Sequence, residues 1–397
     1  MSRKLFQYKG LDLNFGTLPQ PLAFYLQDYQ KPIFIYDKKL IQERIDWVQS
    51  WKGLGRLHYA MKANFNLEIL KIFKSKNCGL DVVSLGEMQW AQQVGFTPAD
   101  FIFSGVAKSF AELKWAVENE IYQINVESLS ELKKIITLAD TLNKKVAIGL
   151  RLNPEIDAET HPSISTALKD SKFGLDFGVA QEAIDLITQN EKIQLKALSF
   201  HLGSQILNVK VYEKAIKVIK PFYKSIKKKC HELERFDLGG GLGIDYKSMD
   251  VEQDQKRWQS LVELFNKELT DFDAFTILEM GRFLVARSAV LISRVEVIKK
   301  TSTNKKFLIL DAGMSHLIRP ALYQAYHEIF PLKLKSGSQS VYDVVGPICE
   351  STDVFIKNKN FSTIDEGDFM AICDVGAYGA AMASRYNLRD EALEVFY

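Results

Sequence analysis

Short runs of β-branched and aromatic residues recur between Leu57 and Met280, and segments with a helical repeat of apolar residues separate them. Candidate strands begin near Leu57, Gly79, Phe101, Ile121, Val146, Lys196, Phe236 and Thr276. The alternation of strand and helix predicts parallel strands joined by right-handed crossovers. Eight such strands can close on themselves, so the pattern favours a (β/α)8 barrel over the alternative, an open doubly wound sheet.

The pattern changes after residue 282. The segments VARSAVLISRVEVIK, KKFLILDAG, YDVVGPIC and DFMAICDVG read as strands separated by turns, with one convincing helix among them. We therefore expect a TIM-like barrel domain over residues 37–282 and a mostly β domain built from residues 1–36 and 283–397. Within the barrel half, Pro221 lies in an otherwise helical run from Val209 to Glu234, which predicts a kinked or split helix.

The composition narrows the class of protein. Hydrophobic residues make up 47% of the chain and charged residues 25%, the balance of an ordinary globular protein. The 51 Lys and Arg against 49 Asp and Glu leave a net charge of +2, so we expect no nucleic-acid partner. There is no signal-peptide core, no run of ~18 apolar residues and no C-x-x-C pair. A cytoplasmic enzyme without a membrane attachment is the expectation.

Residues suited to chemistry stand at predicted strand ends, where closed parallel barrels have their active sites. Lys62 ends the first strand in HYAMKAN. It is either a strand-end charge that reaches solvent or a desolvated amine that can form a Schiff base. A glycine run at 239–241 and 243 follows the seventh strand, and Glu279-Met280-Gly281-Arg282 follows the eighth. Loops at these two places commonly bind a phosphate, and an arginine adds charge.

The glycine run is not a dinucleotide fingerprint. Ile244 stands where G-x-G-x-x-G needs its last glycine, and the chain has no G-x-x-x-x-G-K motif. A glycine-rich turn without a chemical role is the plainer interpretation. A phosphate on a small cofactor, with Lys62 across the barrel mouth, points instead to pyridoxal 5'-phosphate. We expect no metal site.

Six motifs together resemble a known family. HYAMKAN, His201–Gln205 (HLGSQ), GGGLG, EMGR, Gly346–Ser351 (GPICES) and DVGAYG occur in the order found in the fold type III, or alanine-racemase-like, pyridoxal phosphate decarboxylases. Within that family the chain is most similar to the diaminopimelate decarboxylases. The most specific stretches are Thr160–Gly174, Asp311–Ile329 and VVGPICESTD. The familiar Glu-Pro-Gly-Arg reads EMGR here, and Val375 replaces the usual alanine of DVGAYG.

The resemblance implies a role for each matched residue. The catalytic residues would be Lys62, which holds the cofactor, His201, which stacks on its ring, Glu279, which accepts a hydrogen bond from the ring nitrogen, and Cys349, which returns a proton. Cofactor contacts would come from Lys62, His201, Ser204, Gly240, Gly241, Glu279, Met280, Gly281, Arg282 and Tyr378. Substrate contacts would come from Arg282, Arg319, Tyr323, Glu350 and Tyr378.

The resemblance also implies the reaction and the assembly. The reaction would be decarboxylation of meso-2,6-diaminopimelate to L-lysine and carbon dioxide, the last step of lysine biosynthesis. Cys349 and Glu350 would reach the active site of a partner subunit, which implies a homodimer with shared sites. The nearest alternative is a decarboxylase of the same fold that acts on ornithine, lysine, arginine or carboxynorspermidine. Glu279 argues against a racemase, which pairs the ring nitrogen with an arginine.

Overall fold

The computed structural model describes residues 4–157 and 171–397, so residues 160–170 of the Thr160–Gly174 motif lie outside the described residues. The strands are β1 Phe6–Lys9, β2 Asp12–Phe15, β3 Ile33–Tyr36, β4 Arg56–Ala60, β5 Gly79–Val82, β6 Phe101–Phe103, β7 Gln123–Val126, β8 Val146–Leu152, β9 Ile193–Phe200, β10 Arg235–Asp237, β11 Phe275–Met280, β12 Ala289–Lys300, β13 Lys306–Leu310, β14 Ile329–Pro331, β15 Ser340–Val345, β16 Val354–Phe361, β17 Phe369–Ile372 and β18 Leu393–Phe396. The helices are α1 Lys38–Gln49, α2 Leu67–Ser75, α3 Leu85–Gln92, α4 Phe110–Glu118, α5 Leu129–Leu142, α6 Phe177–Thr188, α7 Lys210–Lys227, α8 Val251–Glu268, α9 Arg282–Val285 and α10 Arg319–Tyr323.

Strands β4 to β11 close into a barrel in chain order, and β11 pairs with β4 to complete it. Every pair in the barrel is parallel. The predicted (β/α)8 barrel is therefore confirmed, and the eight predicted strands are the eight observed. Short strands such as β5 and β7 are buried along their whole length, which is why they read as apolar runs rather than as alternating patterns.

Five helices of the barrel begin at side-chain caps. Asn66, Ser84, Ser109, Ser128 and Asp176 each accept a hydrogen bond from a backbone N–H in the first turn of the helix that follows. Such caps satisfy N–H groups that the first helical turn leaves without partners. After β5 and β7, whose caps Ser84 and Ser128 come two residues beyond the strand, the chain therefore turns sharply from strand to helix.

Helix α7 decides between the two alternatives only in part. It continues as one helix through Pro221, so the expected split is wrong, and a kink at the proline stays a prediction. One face of α7 buries Tyr212, Ile216, Ile219 and Tyr223 on both sides of the proline. This continuous apolar face favours a single helix over the break that proline promotes.

The chain forms two compact units, one with residues 45–243 and 256–283 and the other with residues 1–44, 244–255 and 284–397. The first contains the barrel. The second, called here the β unit, contains a sheet of order β14-β17-β12-β13-β15-β16, and β3 pairs with β12 and β18. The mostly β architecture after the barrel is as predicted, and the N-terminal segment contributes β3 to its sheet. The domain limits drawn from the sequence stay a prediction.

A buried ion cluster joins the three chain segments of the β unit. Arg287 donates to Asp254 at 2.9 Å and to Asp374 at 2.6 Å, and Arg44 donates to Asp254 at 2.7 Å. All four side chains are almost fully buried. Two guanidinium groups and two carboxylates balance in charge, as buried ions must if they are to stabilise a fold. In the part of the chain that the structure describes, no helix is long and apolar enough to cross a membrane.

Candidate active site

Lys62 lies one residue into the short 3-10 turn that follows β4. Its Nζ is 3.2 Å from Oδ2 of Asp81, which is buried in β5. The lysine side chain keeps 39% of its surface exposed, whereas that of Asp81 keeps 2%. A partly accessible amine beside a buried carboxylate is well placed to receive an aldehyde from the barrel mouth. Sequence reasoning missed Asp81, because it stands inside the apolar run GLDVV without a motif of its own.

Glu279 lies near the end of β11 and is buried. Asn125 on β7 donates a hydrogen bond from Nδ2 to its Oε1 at 3.2 Å. Burial raises the pKa of Glu279 well above its ordinary value, and the neighbouring Asp237 and Asp81 carboxyls raise this pKa further. Lys62 acts in the opposite direction. Three carboxyls therefore lie near the Lys62 amine, and this cluster of acceptors suits a cationic group such as a protonated ring nitrogen.

His201 follows β9, and its Nδ1 accepts a hydrogen bond from the backbone N–H of Gly240 at 3.2 Å. Burial lowers the pKa of His201 well below its ordinary value, and the positive charges of Arg151 and Lys62 lower it further. The imidazole is therefore neutral at physiological pH. A neutral flat ring held by a backbone donor can stack on an aromatic cofactor without adding charge.

The glycine run lies against the ends of β9 and β11. A Cβ on Gly240 would come 1.8 Å from the carbonyl oxygen of Glu279, and one on Gly241 would come 2.2 Å from the carbonyl oxygen of Gly203. Gly241 also has a φ of +96°. Only glycine fits these close approaches. The run is thus shaped by backbone packing, and the N–H groups of Gly239, Gly240 and Gly243 donate to Asp237, His201 and the Ile206 carbonyl.

Arg282 and Ser204 meet beside this loop. The Arg282 Nη2 donates a hydrogen bond to the Ser204 Oγ at 3.0 Å, and Arg282 is 7% exposed. Gly281 lies close to Ala60 and Ala63 beside Lys62. Met280, the residue that departs from the usual motif, is buried as the last residue of β11. The departure therefore lies in the core, and the Arg282 side chain keeps its place at the mouth.

The other predicted residues belong to the β unit. Arg319 begins α10 and is 4% exposed. Its Nη1 is 2.7 Å from Nε2 of His327, and its guanidinium lies 4.7 Å from the ring centroid of Tyr246. Arg319 is therefore a buried and oriented cation rather than a member of a surface ion pair. Tyr323, at the end of the same short helix, is partly exposed.

Cys349 and Glu350 are exposed on the loop between β15 and β16. The Asp353 carboxylate accepts hydrogen bonds from the backbone N–H groups of Ile348 at 2.7 Å and Met314 at 2.6 Å, which holds this loop in place. The Tyr386 hydroxyl donates to Glu350 Oε1 at 2.7 Å. Neither Asp353 nor Tyr386 was singled out from the sequence.

The predicted residues thus fall into two groups. The barrel mouth gathers Lys62, His201, Ser204, Gly240, Gly241, Glu279, Met280, Gly281 and Arg282. The β unit carries Arg319, Tyr323, Cys349, Glu350 and Tyr378, the last with a φ of +57°. Over residues 4–157 and 171–397, no three His, Cys, Asp or Glu side chains are grouped so that they could hold a metal ion.

Comparison with known proteins agrees with this chemistry. Residues 38–286 match the family "Pyridoxal-dependent decarboxylase, pyridoxal binding domain". The chain is 37% identical to the diaminopimelate decarboxylase of Aquifex aeolicus over 93% of this chain and 87% of that protein. It is 40% identical to that of Helicobacter pylori strain J99, over 93% and 91%. The crystal structure of the Helicobacter pylori enzyme complexed with L-lysine superposes with a TM-score of 0.89, at 38% identity and coverage of 94% and 93%.

The fold and the barrel mouth define a pyridoxal-phosphate-dependent carboxy-lyase of fold type III. The residues present fit the cofactor: Asp81 Oδ1 is buried without a hydrogen-bond partner beside Lys62, and the Arg282 guanidinium, a group suited to a phosphate, bonds Ser204 near the glycine run. The chain belongs to the diaminopimelate decarboxylase family. A lysine decarboxylase from Selenomonas ruminantium, 20% identical with a TM-score of 0.85, shares the fold alone.

Proposed function

We propose that this protein decarboxylates meso-2,6-diaminopimelate to L-lysine and carbon dioxide, the last step of lysine biosynthesis. The proposal is carried by the similarity to diaminopimelate decarboxylases, which are 37% and 40% identical over 93% of this chain. It is combined with the presence of Lys62, His201 and Glu279 at one barrel mouth. The proposed cofactor domain is residues 37–282, and residues 1–36 and 283–397 supply the substrate side.

The barrel residues bind and orient the cofactor. Lys62 would hold the aldehyde carbon through its amine, and Asp81 would keep that amine in position at 3.2 Å. His201 would cover one face of the ring, and Ser204, Arg282 and the glycine run would hold the phosphate. When bound, pyridoxal phosphate supplies an electron sink for the electron pair that remains after carbon dioxide leaves. Glu279 would accept a hydrogen bond from the ring nitrogen and keep the proton there.

The β unit would select the substrate. Diaminopimelate carries a second carboxylate far from the reacting carbon, which needs a cationic partner. Arg319 is held by His327 and lies over the Tyr246 ring, so its guanidinium is oriented before substrate binds. Arg282 and Tyr323 would share that carboxylate, and Tyr378 would complete the contact to the cofactor phosphate. Glu350, oriented by Tyr386, would bind the distal ammonium.

Cys349 would return the proton to the carbon that loses carbon dioxide. Thiols are among the side chains that act as general acids and bases in enzymes. Cys349 is exposed on its own chain, as expected for a residue that acts in the site of a partner subunit. We propose a homodimer in which each active site takes Lys62 from one subunit and Cys349 and Glu350 from the other.

The assembly has a direct test. Inactive Lys62→Ala mixed with inactive Cys349→Ala is expected to recover activity, because a heterodimer contains one site without either substitution. Each variant mixed only with itself is the control. Failure to recover activity while labelled subunits demonstrably exchange would contradict shared sites.

The reaction is tested by measuring carbon dioxide release from diaminopimelate, lysine, ornithine, arginine and carboxynorspermidine, with each product identified. We expect L-lysine from meso-diaminopimelate and little release from the others. A substrate without the second carboxylate that reacts equally well would overturn the substrate assignment. The protein's four cysteines are all free, which suits a reducing compartment, and we place the reaction in the cytoplasm.

A further inference from the structure

Two buried amides lie inside the barrel on strand β7. Gln123 and Asn125 alternate with apolar residues along the strand, and their exposures are 0% and 1%. Barrel interiors are usually filled with branched apolar side chains. A buried amide destabilises the fold unless its hydrogen bonds are made. Their presence therefore calls for a reason beyond packing.

The two amides connect opposite ends of the barrel. Arg235, at the start of β10, donates a hydrogen bond from Nη1 to Gln123 Oε1 at 3.3 Å. Gln123 Nε2 donates to Asn125 Oδ1 at 2.8 Å, and Asn125 Nδ2 donates to Glu279 Oε1 at 3.2 Å. These four side chains form one continuous chain of hydrogen bonds, called here the relay.

The direction of the relay follows from its first member. A guanidinium can only donate, so the Gln123 oxygen must face Arg235 and its NH2 group must face Asn125. The Asn125 oxygen then accepts, and its NH2 group faces Glu279. The three hydrogen bonds of the relay therefore point toward the Glu279 carboxyl, and aligned hydrogen bonds in a low-dielectric interior strengthen one another. At its two ends, Asn125 Nδ2 also donates to Ser104 Oγ at 3.2 Å and Arg235 Nη1 to the Tyr122 carbonyl at 3.0 Å.

The neighbouring strand leaves room for the relay. Gly149 on β8 has no side chain, and a Cβ there would lie 2.6 Å from Asn125 Oδ1 and 2.8 Å from Gln123 Nε2. Any larger residue would displace the two amides. The space at Gly149 thus matches the central hydrogen bond of the relay.

The relay acts on the protonation of Glu279 in the direction opposite to burial and to the neighbouring carboxyls. Burial and the carboxyls of Asp237 on β10 and Asp81 on β5 raise the pKa of Glu279 and favour its protonated form, and Lys62 after β4 lowers this pKa. A donor aimed at a carboxylate stabilises the ionised form. Asn125 supplies that donor to Glu279 at 3.2 Å, and Gln123 and Arg235 polarise it. Asn125 also lowers the pKa of the adjacent Asp237 by a side-chain hydrogen bond.

We propose that Arg235, Gln123 and Asn125 are positioning residues that hold Glu279 ionised, so that the proton remains on the ring nitrogen of the cofactor. The proposal rests on the proposed role of Glu279. Loss of a hydrogen bond to a charged group changes an equilibrium by about tenfold or more. The share of protonated ring nitrogen should fall accordingly, with the largest effect at Asn125 and the smallest at Arg235.

The test uses holoenzyme reconstituted with pyridoxal phosphate labelled with 15N in the ring, whose chemical shift reports protonation of that nitrogen. Asn125→Leu and Gly149→Ala are expected to move the shift toward the unprotonated value and to lower kcat about tenfold, with KM little changed. Gly79→Ala is the matched control. Its Cβ would also crowd the barrel interior, 2.3 Å from the His58 ring, but outside the relay.

The outcomes separate the two proposals. A protonated ring nitrogen in wild type that stays protonated in Asn125→Leu and Gly149→Ala overturns the relay and leaves Glu279 in its role. An unprotonated ring nitrogen in wild type overturns both. An equal shift in Gly79→Ala attributes the effect to general crowding and also overturns the relay. If Asn125→Leu does not fold, Gln123→Met carries the same measurement with a smaller expected shift.

Discussion

The barrel mouth and the ion cluster of the β unit both bury charged side chains, but their charges balance differently. In the β unit, Arg44 and Arg287 face Asp254 and Asp374. At the mouth, the carboxyls of Asp81, Asp237 and Glu279 face one amine, that of Lys62. The first cluster has as many guanidinium groups as carboxylates. The second has more carboxyls than amines, and the pKa of Glu279 is raised there.

The difference separates structural charge from functional charge. Burial raises the pKa of Asp374 to about 6, but two short hydrogen bonds from Arg287 tie the cluster together, and Arg44 and Arg287 lower the pKa of Asp254. At the mouth, burial and like charge both raise the pKa of Glu279. Perturbed groups without a compensating partner mark sites built for a ligand. Variants in the two clusters should therefore affect different properties of the protein.

The largest effect is expected at Lys62. Lys62→Ala should lower activity ~10³-fold or more, because the covalent hold on the cofactor is lost, and it should cost less stability than Arg287→Met, because the lysine side chain of the broken pair is 39% exposed. Borohydride reduction of wild type followed by peptide mapping should place a phosphopyridoxyl group on Lys62. Its appearance on another lysine would contradict the assignment.

Arg287→Met should show the opposite profile. It leaves Asp254 and Asp374 buried with too little positive charge, which costs about 3–5 kcal/mol of unfolding free energy in urea titrations. Arg294→Met, an exposed arginine 43% accessible, is the control and should change stability little. Equal stability of the Arg287 and Arg294 variants would mean that the cluster is not what holds the three segments together.

Arg319→Leu tests whether the buried Arg319 guanidinium of the β unit binds the substrate rather than stabilising the fold. A substrate without the second carboxylate offers no anion to the buried Arg319, which costs on the order of 2–5 kcal/mol. That cost corresponds to a preference for diaminopimelate of ~30-fold to several thousand-fold. The variant should lose activity on diaminopimelate, keep its cofactor, and prefer diaminopimelate over lysine less strongly. A preference unchanged from that of Arg294→Leu would remove Arg319 from substrate recognition.

The sequence predicted the barrel and the motif residues because both leave local signals. Eight apolar runs mark the strands, and glycines, Lys62 and EMGR stand at their ends. Asp81, Gln123 and Asn125 leave no such signal, because each is a single polar residue inside a short strand buried on both faces. Only barrel closure brings β5, β7 and β11 to one interior, so their meeting with Glu279 depends on topology rather than on spacing.

Local sequence patterns also could not predict which individual side chains are buried. Arg319 reads equally well as a surface ion pair until α10 places it next to His327. Pro221 predicts a break until the apolar face of α7 is seen to continue past it. In both cases tertiary packing decided between interpretations that the local sequence left open.

The smallest effect concerns the dependence of stability on pH that Glu279 causes. Glu279 has a raised pKa in the folded protein, so between its unfolded value of about 4.5 and its higher folded value the folded state binds the extra proton. Stability of the cofactor-free protein should therefore fall as pH rises through that window, by up to about 1.4 kcal/mol per pH unit. Glu279→Gln should flatten this dependence, whereas Glu182→Gln, an exposed carboxylate on α6, should not. Urea titrations at several pH values give the unfolding free energy as a function of pH. An equal slope of that dependence in wild type and Glu279→Gln would mean that Glu279 takes up no extra proton on folding.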